Sequence, residues 1–256
     1  MERPRTPLVA GNWKMNPATR EDAMALAGAL EAQLVGLDGV GLVICPPALW
    51  LEEIRDVIDD NRIAVGAQTM HAEERGAFTG EISPTMLAGV ASHVIIGHSE
   101  RRQYDGETDE RVAAKVASAV RHGLVPIAAI GERSAERRGG EAEVVIVRQL
   151  RAAISRLDEL AGSGLVVAYE PVWAIGTGDA ATAEDAQGAA ALIRQVLAER
   201  DPAGAREVRI LYGGSVNAQN AAAYFGQPDV DGALVGGASL DPSGFAAICR
   251  AAASAR

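Results

Sequence analysis

The sequence predicts an α/β fold in a single domain, a closed (β/α)8 barrel of parallel strands spanning residues 1–256. Three observations predict it: short apolar runs recur along the chain, segments of helical periodicity or alanine-rich composition separate them, and no proline-rich, serine-rich or low-complexity linker interrupts the alternation. Strand followed by crossover helix is the pattern of a parallel sheet. Eight such units at about 30 residues each suit a closed barrel better than an open doubly wound sheet. Length alone leaves one or two domains open, but barrels of this kind commonly occupy a chain of 256 residues as one unit.

In chain order, the apolar run at residues 8–10 precedes a helical segment at 21–34, and the run at 42–45 precedes one at 51–58. Runs at 63–67 and 94–96 flank the longest irregular segment, 68–83, which contains Gly76 and Gly80. A segment of that length inside a domain covers a site, reaches a partner or is disordered. Helical periodicity returns at 111–120, between the runs at 94–96 and 124–130, and again at 144–157 before the run at 165–169. An alanine-rich helix at 183–199 leads to the runs at 208–212 and 232–235, and a last helix at 245–253 follows. The strand runs are uninterrupted rather than alternating, as expected of strands covered on both faces.

Bulk properties exclude several classes. The charge balance is 24 basic against 34 acidic residues, net −10, which disfavours nonspecific binding to nucleic acid or an anionic membrane surface. No apolar run approaches the length of a membrane span, and the charged, proline-broken start resembles no signal peptide, so a cytoplasmic location is expected. Cys45 and Cys249 lie far apart in apolar runs without metal-like spacing and read as buried free thiols. The four histidines, His71, His93, His98 and His122, form no two-histidine helical motif. Of the basic residues, 22 are arginine and only two, Lys14 and Lys115, are lysine. A retained lysine hints at a task for a compact ammonium, at Lys14 more than at Lys115, which sits inside a helical pattern.

Chemistry on such a barrel gathers on the loops that follow the strands. There the chain places Asn12 and Lys14, then His98, Ser99 and Glu100, then Glu170, then Gly213, Gly214 and Ser215. Each alone also fits a plain surface or turn residue; together, an imidazole, an ammonium and a carboxylate form an acid–base site. Glu170 ends an apolar run and should emerge where that strand meets solvent, with Pro171 forbidding continuation and Gly176 and Gly178 giving a hinge-like loop. Tyr212-Gly213-Gly214-Ser215 and Val235-Gly236-Gly237-Ala238 bare backbone N–H groups before helical segments, in the two units where barrels often bind phosphate. Tight turning is the other reading of either motif. The pattern from Gly176 to Ala181 nominally fits a dinucleotide turn, but five residues separate it from Glu170 and its strand, so it reads as a lid.

These stretches carry a family resemblance over nearly the whole chain. Gly11-Asn12-Trp13-Lys14-Met15-Asn16, Gly97-His98-Ser99-Glu100-Arg101-Arg102, Tyr169-Glu170-Pro171-Val172-Trp173 with Ala174-Ile175-Gly176-Thr177-Gly178, and the two glycine motifs occur in the order of the triosephosphate isomerases. The chain therefore resembles that family and its TIM barrel. The resemblance implies interconversion of dihydroxyacetone phosphate and D-glyceraldehyde 3-phosphate through an enediolate, in glycolysis and gluconeogenesis, with no cofactor and no metal. It assigns Glu170 as the proton carrier, neutral His98 as the group polarising the carbonyl, Lys14 and Asn12 as electrostatic partners, and Glu100 as support for the lysine. Asn12, Trp13, Lys14, Gly176, Ser215, Gly236 and Gly237 would contact the substrate. Lid closure over it is a gating motion for which this family is a standard example. The segment 68–83 resembles the loop by which the family forms homodimers.

The chain departs from the family at Ala129, where cysteine is frequent, at Thr69, where asparagine is, and at Asp179-Ala180-Ala181 at the far end of the lid. None removes a group that handles protons or phosphate. A Schiff-base aldolase on the same barrel would need a buried lysine at the strand-six position, which holds Glu170. A phosphate-binding barrel without chemistry would have lost Glu170, His98 or Lys14.

Overall fold

Eight strands, β1 (Leu8–Asn12), β2 (Gly41–Cys45), β3 (Ile63–Ala67), β4 (His93–Ile96), β5 (Val125–Ile130), β6 (Val166–Tyr169), β7 (Arg209–Tyr212) and β8 (Gly232–Val235), close in chain order into one barrel. Every neighbouring pair is parallel, and β1 pairs with both β2 and β8. The computed structural model describes residues 5–58, 62–174 and 181–255. Around the barrel run α1 (Arg20–Leu34), α2 (Leu51–Val57), α3 (Pro84–Leu87), α4 (Ser99–Tyr104), α5 (Asp109–Arg121), α6 (Ser134–Arg138), α7 (Ala142–Ile154), α8 (Ala183–Arg200), α9 (Gly204–Glu207), α10 (Ala221–Phe225) and α11 (Pro242–Ser254). The expected closed (β/α)8 barrel is what the chain forms.

Side-chain alternation along the strands builds two cores. Leu8, Ala10, Val43, Cys45, Ile127, Ala129, Val166 and Ala168 point inward and fill the barrel. Val9, Leu42, Ile44, Ala128, Ile130, Val167 and Tyr169 point outward and meet the helices. The same two-residue period carries Asn12 (after Ala10) and Glu170 (after Ala168) to the inner face at the C-terminal mouth. Their position at the mouth is thus a consequence of strand parity rather than of loop chance.

The helices begin where short polar side chains accept orphaned N–H groups. Thr19 accepts Asp22 N–H, Thr108 accepts Arg111 N–H, and Thr182 and Asp185 cap each other reciprocally. The last helix starts at Pro242 rather than at residue 245, because Asp241 caps it and proline suits the first turn. Residues 68–83 run without helix or strand. Both cysteines are free and buried, and burial pushes the Cys45 thiol up to about 12.

At the opposite, N-terminal mouth, His93 opens β4 with its Nδ1 2.8 Å from Ser92 Oγ. Burial, and then the Arg209 guanidinium, lower its pKa to about 4. An unfolded His93 binds a proton near the ordinary value, the folded one only near 4, so stability falls as pH drops between those values, by at most about 3 kcal/mol. His93→Gln is expected to flatten the loss of urea midpoint between pH 7 and 4 relative to wild type; parallel slopes would exclude this histidine as the cause.

Candidate active site

The loop after β1 is held in an unusual shape. Lys14 has φ 54, a left-handed conformation that costs a residue bearing a side chain on the order of 1 kcal/mol or more. Three contacts hold it there: Asn12 Oδ1 accepts Lys14 N–H at 3.0 Å, and Gln68 Nε2 donates to Lys14 O at 2.7 Å and to Cys45 O at 3.0 Å. The ammonium then reaches Glu100 Oε1 at 2.6 Å, with both side chains partly open to solvent.

His98 is the N-cap of α4. Its Nδ1 accepts Glu100 N–H at 3.2 Å, so the single proton of the neutral ring belongs on Nε2, which faces Glu170 Oε1 at 3.0 Å. Glu170 Oε2 accepts Ser99 N–H at 2.9 Å. One helix start thus holds both the imidazole and the carboxylate. The expectation that Glu170 emerges into solvent is corrected: it is 2% exposed, because the start of α4, just beyond β4, supplies the two groups that enclose its carboxylate.

Ahead of His98, Gly97 adopts φ 76, a conformation that favours glycine. Its N–H donates to Glu107 Oε2 at 2.9 Å and its carbonyl accepts Arg102 Nε at 2.8 Å. Glu107 is paired in turn with Lys115, whose ammonium also donates to Thr69 Oγ1 at 3.3 Å. Lys115, which the sequence left without a task, is a buried partner rather than a surface charge. This enclosed pair suits a compact ammonium better than a planar guanidinium.

Asn12, Lys14, His98, Glu170, Ser215, Gly236 and Gly237 line one cavity of about 300 Å³. Among the described residues, the N–H groups of Ser215, Gly236 and Gly237 are unengaged. Gly237 begins a short 3-10 helix, so these donors and the Lys14 ammonium face the same space, which suits a small anion. A second cavity, about 310 Å³, lies on the other side of Glu170, but Arg102 and Asp109 on its wall pair at 2.8 Å and none of the glycine-loop donors open into it.

The Trp13 indole is fully buried with Nε1 unpartnered, so it packs beneath the loop. Gly176 lies outside the described residues. Conversely, Glu132, just beyond β5, was missed although it stands where the rule of residues following strands would have found it. It is 0% exposed, and its Oε1 accepts Tyr169 Oη at 3.1 Å and Trp173 Nε1 at 2.8 Å. Arg137 lies 4.2 Å over the Trp173 ring, contacts Glu132 Oε1 at 3.3 Å and bonds Asp185 Oδ1 at 2.8 Å. One guanidinium therefore ties together the described residues on both sides of 175–180. Among the described residues, no three His, Cys, Asp or Glu side chains are grouped to hold a metal, and no helix is long and apolar enough to cross a membrane.

A carboxylate, an imidazole and an ammonium at the C-terminal mouth of a parallel barrel, opposite free backbone donors, define a class: the acid–base enzymes built on (β/α)8 barrels. Comparison with known proteins narrows it. The family model described as triosephosphate isomerase matches residues 7–252. A triosephosphate isomerase of Vibrio cholerae is 50% identical over 255 residues, covering 98% of this chain and 99% of that protein. One of Symbiobacterium thermophilum is 52% identical over 254 residues, covering 98% and 99%, and one of Vibrio vulnificus 51% over 252, covering 97% and 98%. The chain belongs to the triosephosphate isomerase family.

Proposed function

We infer that the chain interconverts dihydroxyacetone phosphate and D-glyceraldehyde 3-phosphate through an enediolate in glycolysis and gluconeogenesis, and that residues 1–256 act as one domain. The observation that carries the reading is the convergence of Glu170, His98, Lys14 and Asn12 on one cavity with the β7 and β8 glycine loops. The Glu170 carboxylate removes a proton from the carbon beside the carbonyl and returns it to the neighbouring carbon. His98 Nε2–H and the Lys14 ammonium stabilise the oxygen on which negative charge develops, Asn12 adds a hydrogen bond, and His98 relays the hydroxyl proton from one substrate oxygen to the other, so that the former carbonyl becomes the hydroxyl and the former hydroxyl the carbonyl. For that, the substrate oxygen must replace Glu170 Oε1, now 3.0 Å from His98 Nε2, as the acceptor of the Nε2–H bond, which frees that carboxylate oxygen to face the substrate carbon. Glu100 holds Lys14; Ser215, Gly236 and Gly237, with Gly176 by resemblance, hold the phosphate; and Trp13 supports the loop. The test is coupled conversion of D-glyceraldehyde 3-phosphate by the purified chain at neutral pH. A folded protein that binds the substrate without turning it over would end the reading.

The chain is proposed to act as a cytoplasmic homodimer. Exposed Met15 in the loop after β1, Leu49 in a 3-10 turn after β2, Phe78 within the segment 68–83 and Met86 on α3 offer apolar surface for a second copy. Sedimentation is expected to give twice 26.6 kDa, and a monomer at micromolar concentration would exclude the dimer. Recovery of the chain in a membrane or secreted fraction would overturn the location.

A further inference from the structure

Arg209 opens β7 at the N-terminal mouth of the barrel, the end away from the candidate active site. It is only partly exposed, yet among the described residues no hydrogen bond or ion pair reaches its guanidinium. The nearest buried carboxylate is already shared: Asp231, 1% exposed, takes Arg5 Nε at 2.9 Å, Arg194 Nη2 at 2.8 Å and Ile210 N–H at 2.9 Å. Asp229 serves Arg194 at 3.4 Å, and Glu207 spends an oxygen on Gly162 N–H at 2.9 Å. Arg206 nearby is exposed and its guanidinium is likewise unpaired; only its carbonyl is used, by Arg5 Nη1 at 3.1 Å.

A guanidinium taken partly out of water without an acceptor is costly, and folded proteins rarely leave one so unless an ion or water completes it. Burial accordingly holds the Arg209 guanidinium below its ordinary range, with Asp231 opposing. The space in front of it is a cleft of about 530 Å³, larger than the active-site cavity. Arg5, Arg206 and Arg209 line it together with one carboxylate, Glu207, and apolar Leu160, Leu165 and Val208, so three guanidinia face a single acid. Two unpaired guanidinia beside an apolar wall match a phosphate-type anion on a short carbon skeleton, because guanidinium binds such oxygens in a bidentate fork. In a chain of net charge −10, general electrostatics does not account for this local excess of cations.

We propose that this cleft is a second anion site, in which Arg209 and Arg206 hold a small phosphate-bearing ligand at the N-terminal face of the barrel. None of its residues lines the catalytic cavity, so it stands independently of the roles given to Glu170 and His98.

Inorganic phosphate is the probe, with chloride at matched ionic strength as the control. Phosphate also competes at the active site, so two quantities are measured on the full chain: the thermal midpoint against phosphate, and the competitive inhibition constant in the isomerase assay. Binding at two sites adds two increments to the midpoint, and each single variant, Arg209→Gln or Arg206→Gln, is expected to lose one of them. The phosphate-induced gain then shrinks to the increment expected from the active-site inhibition constant alone, while that constant stays unchanged. Equal gains in wild type and variants, an equal gain in chloride, or loss of the gain together with a weakened inhibition constant would each overturn the site. Arg206 is exposed, so its variant folds and reports even where Arg209→Gln does not.

Discussion

Glu170→Gln is expected to lower kcat by about a thousandfold or more with KM changed little. The amide has the size of the carboxylate, its oxygen can still accept the Ser99 N–H now 2.9 Å away, and the cavity keeps its shape. What it loses is the ability to take a proton from carbon. His98 cannot substitute, because its Nδ1 is occupied by Glu100 N–H and its Nε2 already carries the ring proton. Glu170→Asp separates chemistry from placement. It keeps the base but withdraws it by one methylene from a position set by β6, and a misplacement of about 1 Å can cost on the order of a hundredfold. Steady-state kinetics of both variants decide the matter. If Glu170→Gln turns over within tenfold of wild type, the proton moves through another group and the assignment fails.

The barrel was legible because its strands are short apolar runs whose parity is strict. The sequence run at residues 8–10 ended before the strand did: β1 continues through Gly11 and Asn12, since Asn12 pairs in the ladder with Cys45. That pairing depends on β2 and has no local signal. Helices α4, α6, α9 and α10 span four to six residues each, too short for an apolar period to show, and their starts are set by caps and tertiary contacts. The separate residues of the site could be read from their places after strands. Glu170's enclosure could not, because Ser99, which holds it, is 71 residues away in the chain. Lys115 shows the same limit from the other side: helical periodicity gives it a helix, but only the fold brings Glu107 and Thr69 to its ammonium.

Gly131→Ala is expected to damage stability and activity together. A Cβ built on Gly131 would stand 1.8 Å from the Glu170 carbonyl oxygen and 2.6 Å from its carbon. Both are main-chain atoms, so no side-chain rotation relieves the overlap; β5 and β6 must part where Glu170 N–H donates to Ile130 O at 2.8 Å. The bond from Gly131 N–H to Gln149 Oε1, 2.8 Å and buried, lies at the same point. Overpacking of this kind costs about 1–3 kcal/mol or more. The shift is also delivered straight to the backbone that aims the base, so kcat/KM should drop by about a hundredfold even in the folded fraction. Gly188→Ala in α8 is the matched control. Nothing lies within 4 Å of its added Cβ, and alanine in a helix interior should stabilise by about 0.5–1 kcal/mol. Thermal midpoints and kcat/KM of the two variants test the contrast between them. Wild-type stability and rate in Gly131→Ala would mean that the β5–β6 end yields easily, and that Glu170 is aimed by its contacts with His98 and Ser99 rather than by the strand beneath it.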